Sequence, residues 1–220
     1  MDKKQRKTHS FSISARKKVF IYIILFVGAF ISLIPFIWMI STSLKTIGEA
    51  MGTRFFPSSL HFENYPEAWR RAEFSKFFIN SLKITAITLF GEVTFSILAA
   101  YAFARMEFPG RDLIFGILLA TLMIPAMVII IPNFLTVTWL GRIGPIPWIN
   151  NWPALTIPFM GSVFSIFMLK QFFAQVPNEL FDAAQIDGSG HLRFLVQVVL
   201  PLSKAPLMVI IVLSFIGTWN

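Results

Sequence analysis

The chain contains no cysteine, so neither a disulfide framework nor a thiolate metal site can form, and redox chemistry says nothing about its compartment. Charge is sparse. Only 14% of the 220 residues are charged while 55% are hydrophobic, too little polar surface to cover a water-soluble core. The three histidines, His9, His61 and His191, are scattered and suggest no metal centre. No glycine-rich phosphate loop ending in Lys-Ser/Thr occurs, so this chain lacks that machinery for ATP hydrolysis. No nucleophile–base pair stands out, no internal repeat is evident, and there is no low-complexity segment. The net charge of +8 raises nucleic acid as a partner, but its distribution argues for a membrane. Lys3, Lys4, Arg6, Lys7, Arg16, Lys17 and Lys18 form a basic tail directly before an apolar run.

What is abundant is uninterrupted apolar sequence. Val19 to Thr42 is 24 residues without a charge, reaching about 36 Å as a helix, enough to cross the hydrocarbon with some tilt. The sequence after it, "STSLKTIGEA", offers no convincing cleavage site, which favours a retained span over a signal peptide. Further runs cover Ile79 to Ala104, with Lys83 and Glu92 inside, and Leu113 to Val137, with Pro125 and Pro132 inside. A fourth runs from Ala154 to Phe173, with Pro158 near its start and Lys170 near its end. A fifth starts near Ala205 and is still apolar at Asn220, having risen about 24 Å against a hydrocarbon thickness of about 30 Å. The expected fold is all-α, a polytopic transmembrane helix bundle with five spans visible and the fifth incomplete. Residues 1–18 are a basic tail and 19–220 the membrane domain. The natural protein is expected to continue for roughly one and a half spans, ~50–70 residues.

Placing the N-terminus in the cytoplasm puts twelve Lys and Arg on inner segments and six on outer ones; without the tail the balance is five to six, so the tail decides the orientation. Trp38, Trp139, Trp148 and Trp152 then fall near the outer interface, where amphipathic rings prefer to sit. The outer segment from Ser43 to Phe78 mixes aromatics with balanced charge and reads as short amphipathic helices lying along the membrane.

Between the fourth and fifth runs lies "QVPNELFDAAQIDGSGHLRFLVQVVLPLSKAP", too polar to span and too patterned for a random loop. Pro177 and Asn178 mark a helix start with Asn178 as N-cap, and Glu179 and Asp182 fall in the first turns, where carboxylates suit the positive helix end. Ala183 and Ala184 are small enough for another surface to approach the backbone. Gly188 is placed to end the helix in the left-handed conformation, and a second helix from about His191 to Val199 is expected to stop before Pro201. By itself this pattern fits a structural amphipathic loop as well as a docking element.

Asp182-Ala183-Ala184, then Asp187-Gly188, then Leu200-Pro201-Leu202 resembles the E-A-A, D-G, L-P motif of the permease subunits of binding-protein-dependent ABC importers. "PFIWMISTSLKT" from Pro35, "INSLK" from Ile79, "AAYAFARMEFPGR" from Ala99 and "SFIGTWN" from Ser214 are similar to the carbohydrate-uptake branch, on the side of the smaller permease of maltose-type transporters. The resemblance implies six spans and a bacterial or archaeal cytoplasmic (inner) membrane, with no cofactor bound by this chain. It implies a cytoplasmic coupling helix at about 177–200 that docks on a separate ATPase subunit, present in two copies, which binds ATP. Further implied partners are a second, different permease and an extracytoplasmic solute-binding protein. Glu179, Asp182, Ala183, Ala184, Asp187 and Gly188 would form the docking element. Asp182 replaces the usual Glu, keeping the charge with one methylene less reach, and Ser189 replaces a common Ala.

Glu92 lies near the middle of its run, where a charge costs on the order of 2.5–3.5 kcal/mol on insertion scales. It must face the bundle interior or a water-filled path, or be protonated. It either lines the translocation route or pairs with a polar group on the companion permease, and the family, usually apolar here, does not decide. Lys83 and Lys170 sit close enough to the ends of their runs to snorkel. Asn133, next to Pro132, can satisfy backbone groups freed by proline or line the route. An ion-coupled secondary transporter with Glu92 as proton carrier would require paired broken-helix repeats, which are not found. A membrane-embedded enzyme would require clustered carboxylates or histidines at one depth. Within the importer reading, a sugar or oligosaccharide is the expected solute, with an amino acid, peptide or phosphate ester as the alternative.

Overall fold

The computed structural model describes residues 15–219. The basic residues Lys3, Lys4, Arg6 and Lys7, with His9 and Asn220, lie outside the described residues. Every regular element among the described residues is helical, and the chain divides into two compact units, Met1–Ser75 and Lys76–Asn220.

The first unit opens with α1 (Ala15–Ser43), a helix apolar all round that keeps Phe20 and Phe26 exposed, as a lipid-facing helix does. Its C-terminal end is tied down by polar groups. Lys45 is 3% exposed, with Nζ 4.4 Å from the centre of the Trp38 ring and donating to the Arg54 carbonyl at 2.5 Å. The Asn64 amide donates to the carbonyls of Ser43 and Lys45, at 2.9 and 3.0 Å. The segment after α1 forms two short helices, α2 (Ile47–Ala50) and α3 (Asn64–Arg71), joined by turns, as its mixed composition predicts.

The second unit is built round α4 (Phe74–Arg105), followed by α5 (Arg111–Thr121), α6 (Ala126–Ile143), α7 (Trp152–Thr156) and α8 (Val163–Phe173). Then come α9 (Asn178–Ile186), α10 (His191–Phe194), a π-helical turn (Leu195–Val199), α11 (Leu200–Leu202) and α12 (Lys204–Trp219). The core gathers where α4, α8 and the residues around α10 meet. Leu169, Phe173 and Val199 are fully enclosed there, with Ala100, Phe194 and Ile210 beside them.

Four helices are long and apolar enough to cross a membrane, over Arg16–Ser43, Phe74–Arg105, Ala126–Ile143 and Trp152–Phe173. Counting the bent pair His191–Leu202 and Lys204–Trp219 as one span gives five. Two sequence-based boundaries require correction. The third run is not one helix from Leu113: α5 ends at Thr121 and α6 begins only at Ala126, because Pro125 is extended (φ −60°, ψ 135°) and proline disfavours helix in the residue before it. The helix after His191 does not stop before Pro201 either. Across the π-helical turn the ladder shifts from Leu200 N–H bonding the Leu195 carbonyl to Ser203 N–H bonding that of Val199. Pro201 sits in that shift, where its missing N–H costs little. The chain turns by 83° only afterwards, at Ser203.

Candidate coupling segment and buried carboxylate

The polar segment after α8 is held on one side and free on the other. Pro177 is extended (φ −57°, ψ 142°) and leads directly into α9. Asn178 is not its N-cap, as the sequence suggested. Its Oδ1 instead accepts from the Arg105 guanidinium at 2.5 Å, and Arg105 also donates to the Val176 carbonyl. A charged donor outcompetes the local N–H for the amide oxygen. Arg105 is the last residue of α4, so the end of that helix clasps the start of α9.

The far end of α9 behaves as its glycine predicts. Gly188 has φ +75°; its N–H bonds the Gln185 carbonyl, and Ser189 N–H reaches the Ala184 carbonyl at 2.8 Å. This pair of bonds closes the helix through a left-handed residue and satisfies carbonyls that would otherwise be left unpaired. Phe181 faces inward, stacked on the His191 ring at 4.9 Å and edge-on to Phe194 at 5.0 Å. His191 Nδ1 is in turn 3.0 Å from the Tyr101 hydroxyl on α4.

The predicted docking residues therefore divide by face. Glu179, Asp182, Ala183 and Asp187 are exposed, and among the described residues none of the three carboxylates forms an ion pair. Ile186, 86% exposed, lies with them. Ala184 departs from expectation. It packs against this chain's own core, because it falls three residues after Phe181 on the same helical face. Of the alanine pair, Ala183 is exposed and Ala184 is half-buried.

Glu92 is 7% exposed within α4. Its Oε1 accepts from the Ser165 hydroxyl of α8 at 2.9 Å and from the Ser214 hydroxyl of α12 at 2.8 Å. Its polar partners are thus on this chain, whereas one of the two readings left open by the sequence put them on a companion permease. Thr85, Thr88 and Ser96 share its face of α4 at spacings of three and four, all buried, their hydroxyls unpartnered among the described residues. Glu92 also borders a cavity of about 400 Å³ between α8 and α12. Asn133 is half-buried on α6, does not line that cavity, and makes no hydrogen bond among the described residues that would serve the backbone near Pro132. Near there the Thr136 hydroxyl, not Asn133, bonds the Pro132 carbonyl at 2.8 Å. Lys83 is exposed, and Lys170 lays its ammonium 4.5 Å from the centre of the Phe115 ring. The sequence reading gave no contact role to Arg105, Tyr101, His191, Ser165 or Ser214. Only the run of hydroxyls around Ser162–Ser165 and Ser214–Thr218, unusual in apolar helices, hinted at the last two.

A membrane helix bundle carrying a short polar helix, pinned on one face and acidic on the other, is the architecture of an importer permease. Residues 92–220 match the family model described as binding-protein-dependent transport system inner membrane component, and the chain belongs to this family. It is similar to the diacetylchitobiose uptake system permease protein NgcG of Streptomyces coelicolor, 33% identical over 90% of this chain and 64% of that protein. Yersinia pestis has an sn-glycerol-3-phosphate transport system permease protein, UgpE, 33% identical over 92% of this chain and 73% of its own length. SugB, a trehalose transport system permease protein of Mycobacterium tuberculosis, is 33% identical over 86% and 68%. The chain thus spans a little under two thirds of the length of the Streptomyces relative. Among solved structures it is similar to a chain of a bacterial ABC transporter involved in the import of the acidic polysaccharide alginate. The TM-score is 0.82 at 25% identity, over 94% of this chain and 73% of that one.

Proposed function

We propose that this chain is a membrane-spanning permease subunit of an ATP-driven importer for a sugar or oligosaccharide, forming half of the translocation path. The observation that carries this reading is the two-sided α9. Arg105, Phe181 and Ala184 pin one face to the chain, while Glu179, Asp182, Ala183 and Asp187 leave the other open to a partner. The partner is a cytoplasmic ATPase, in two copies, that binds and hydrolyses ATP; this chain itself binds no cofactor and is not an enzyme. A second, different permease completes the path, and an extracytoplasmic binding protein delivers solute. The basic N-terminal tail supports a cytoplasmic location for that end, in a bacterial or archaeal cell.

The contacts of α9 describe how force would pass. A pull on the acidic face reaches α4 through Arg105 and the residues around α10 through Phe181 and His191. The chain runs on from α10 through the π-helical turn and the 83° bend into α12. Helices α4, α8 and α12 are the three that Glu92, Ser165 and Ser214 join, so motion at α9 is delivered to the buried carboxylate, which lines the path in this reading. The names of the Yersinia relative and of the alginate transporter favour a second solute class, an anionic one. ATPase activity of the reconstituted complex, measured with binding protein and saccharide, tests the proposal. Stimulation by saccharide is expected; activity indifferent to solute, or a chain that purifies without an ATPase, would overturn it.

A further inference from the structure

The cavity beside Glu92 carries a function that a structural bond alone does not require. Both serine hydroxyls converge on Oε1, and Oε2 has no hydrogen bond from any described residue. Joining three helices needs only the first oxygen. That second oxygen is not enclosed by the protein, so it is free to accept a hydrogen bond from whatever occupies the space it borders. The space it borders, about 400 Å³, lies within the range of small-molecule sites. Its walls hold the hydroxyls of Ser162 and Thr218 and the rings of Phe159 and Phe164, each ring about half exposed. No Lys, Arg or His lines it. Beside Gly161 and Gly217, which also line it, an added Cβ would meet nothing within 4 Å, so the space continues past both.

We propose that this cavity is a solute subsite held by this subunit, taking an uncharged, polyhydroxylated saccharide whose hydroxyls donate to Oε2 of Glu92. An acceptor-only carboxylate matches a ligand rich in O–H donors. The two phenyl rings suit the apolar C–H face of a sugar ring. With no Lys, Arg or His in its lining, the same cavity offers no counter-charge to a phosphate ester or a sugar acid. The subsite rests on the importer reading and names the class of solute that reading leaves open between neutral and anionic.

These 220 residues hold no cysteine, so Gly217→Cys adds a single thiol among them, on the cavity wall. In the complete importer in proteoliposomes, a charged, water-soluble methanethiosulfonate is expected to label that thiol, followed by mass on this chain. Diacetylchitobiose or trehalose should slow the labelling several-fold, and sn-glycerol-3-phosphate should not. Glu92→Gln, which keeps the shape and an acceptor for Ser165 and Ser214, should demand about tenfold more saccharide for the same protection, the difference between a charge-assisted and a neutral bond. Ser162→Cys repeats the experiment from the opposite wall should Gly217→Cys not assemble. An unreactive thiol at both positions, protection by glycerol phosphate but by neither saccharide, or protection unchanged by Glu92→Gln overturns the subsite. ATP-dependent uptake by the unaltered importer separates the two proposals. Uptake that persists while protection fails removes the subsite alone, whereas uptake without need of ATP removes the importer reading beneath it.

Discussion

Glu92 and Asp182 present the same carboxyl group in opposite surroundings. Glu92 is 7% exposed and receives hydroxyls from two other helices, one 73 and the other 122 residues away in sequence. Asp182 stands on the open face of a nine-residue helix with no ion-pair partner among the described residues. The buried carboxylate is committed to its own chain through one oxygen, while the exposed one is committed to nothing within it. A carboxyl of the first kind ties together helices of its own chain, and a carboxyl of the second kind is where another protein can take hold. Asp112 is an intermediate case. It is exposed but engaged by its neighbour Arg111, whose Nε donates to Oδ1 at 2.9 Å.

The contrast can be broken or sharpened by substitution. The largest effect is expected at the buried anchor beneath α9. Phe173 is fully enclosed, and Phe173→Ala should cost about 3–5 kcal/mol, the usual range for emptying a large core site. Denaturant unfolding of the purified chain in detergent measures it; a loss below 1 kcal/mol would mean that α9 is not held by this core.

Gly188→Val comes next. At φ +75° a residue with a Cβ is strained by roughly 1–2 kcal/mol whatever the space around it, and a β-branched one is strained more. The same unfolding measurement should show that loss, together with weaker ATPase recovery because the turn that ends α9 must change. Asp182→Ala should leave stability within about 0.5 kcal/mol, since it empties no cavity and breaks no bond. Its effect belongs in co-purification with the ATPase, which should fall severalfold. Unchanged recovery and transport would remove Asp182 from the docking face.

The smallest effect concerns Asp112. The hydrogen bond from Arg111, and then its charge, hold the Asp112 carboxyl below the ordinary aspartate range. The pair therefore contributes stability above that range, and the contribution is lost as pH falls through the lowered value. Arg111→Gln should return the carboxyl toward the ordinary range in an NMR titration with labelled carboxyl carbon. An unmoved titration would show that Arg111 is not the cause.

Much of this molecule follows from local rules acting on neighbouring residues. Apolar runs longer than the hydrocarbon is thick must become membrane helices, because no other element satisfies its own backbone there. Gly188 ends α9 because a left-handed residue is needed within four positions of the carbonyls it satisfies. The break near Pro125 was visible as a proline, yet hydropathy spanned it, since hydropathy does not register a backbone that turns extended.

What the tertiary structure alone decided are the partners across long separations. Asn178 has the side chain of an N-cap, but Arg105, 73 residues earlier, takes its oxygen. Ala183 and Ala184 are equivalent as letters, and only the placement of Phe181 against His191 turns the second one inward. Glu92 announced itself as a charge in need of company, while nothing in its neighbourhood pointed to Ser165 and Ser214. Periodicity and backbone preference act over a few residues and can be read along a line. Which hydroxyl reaches a carboxylate depends on how three helices pack, and that is settled only when the chain is folded.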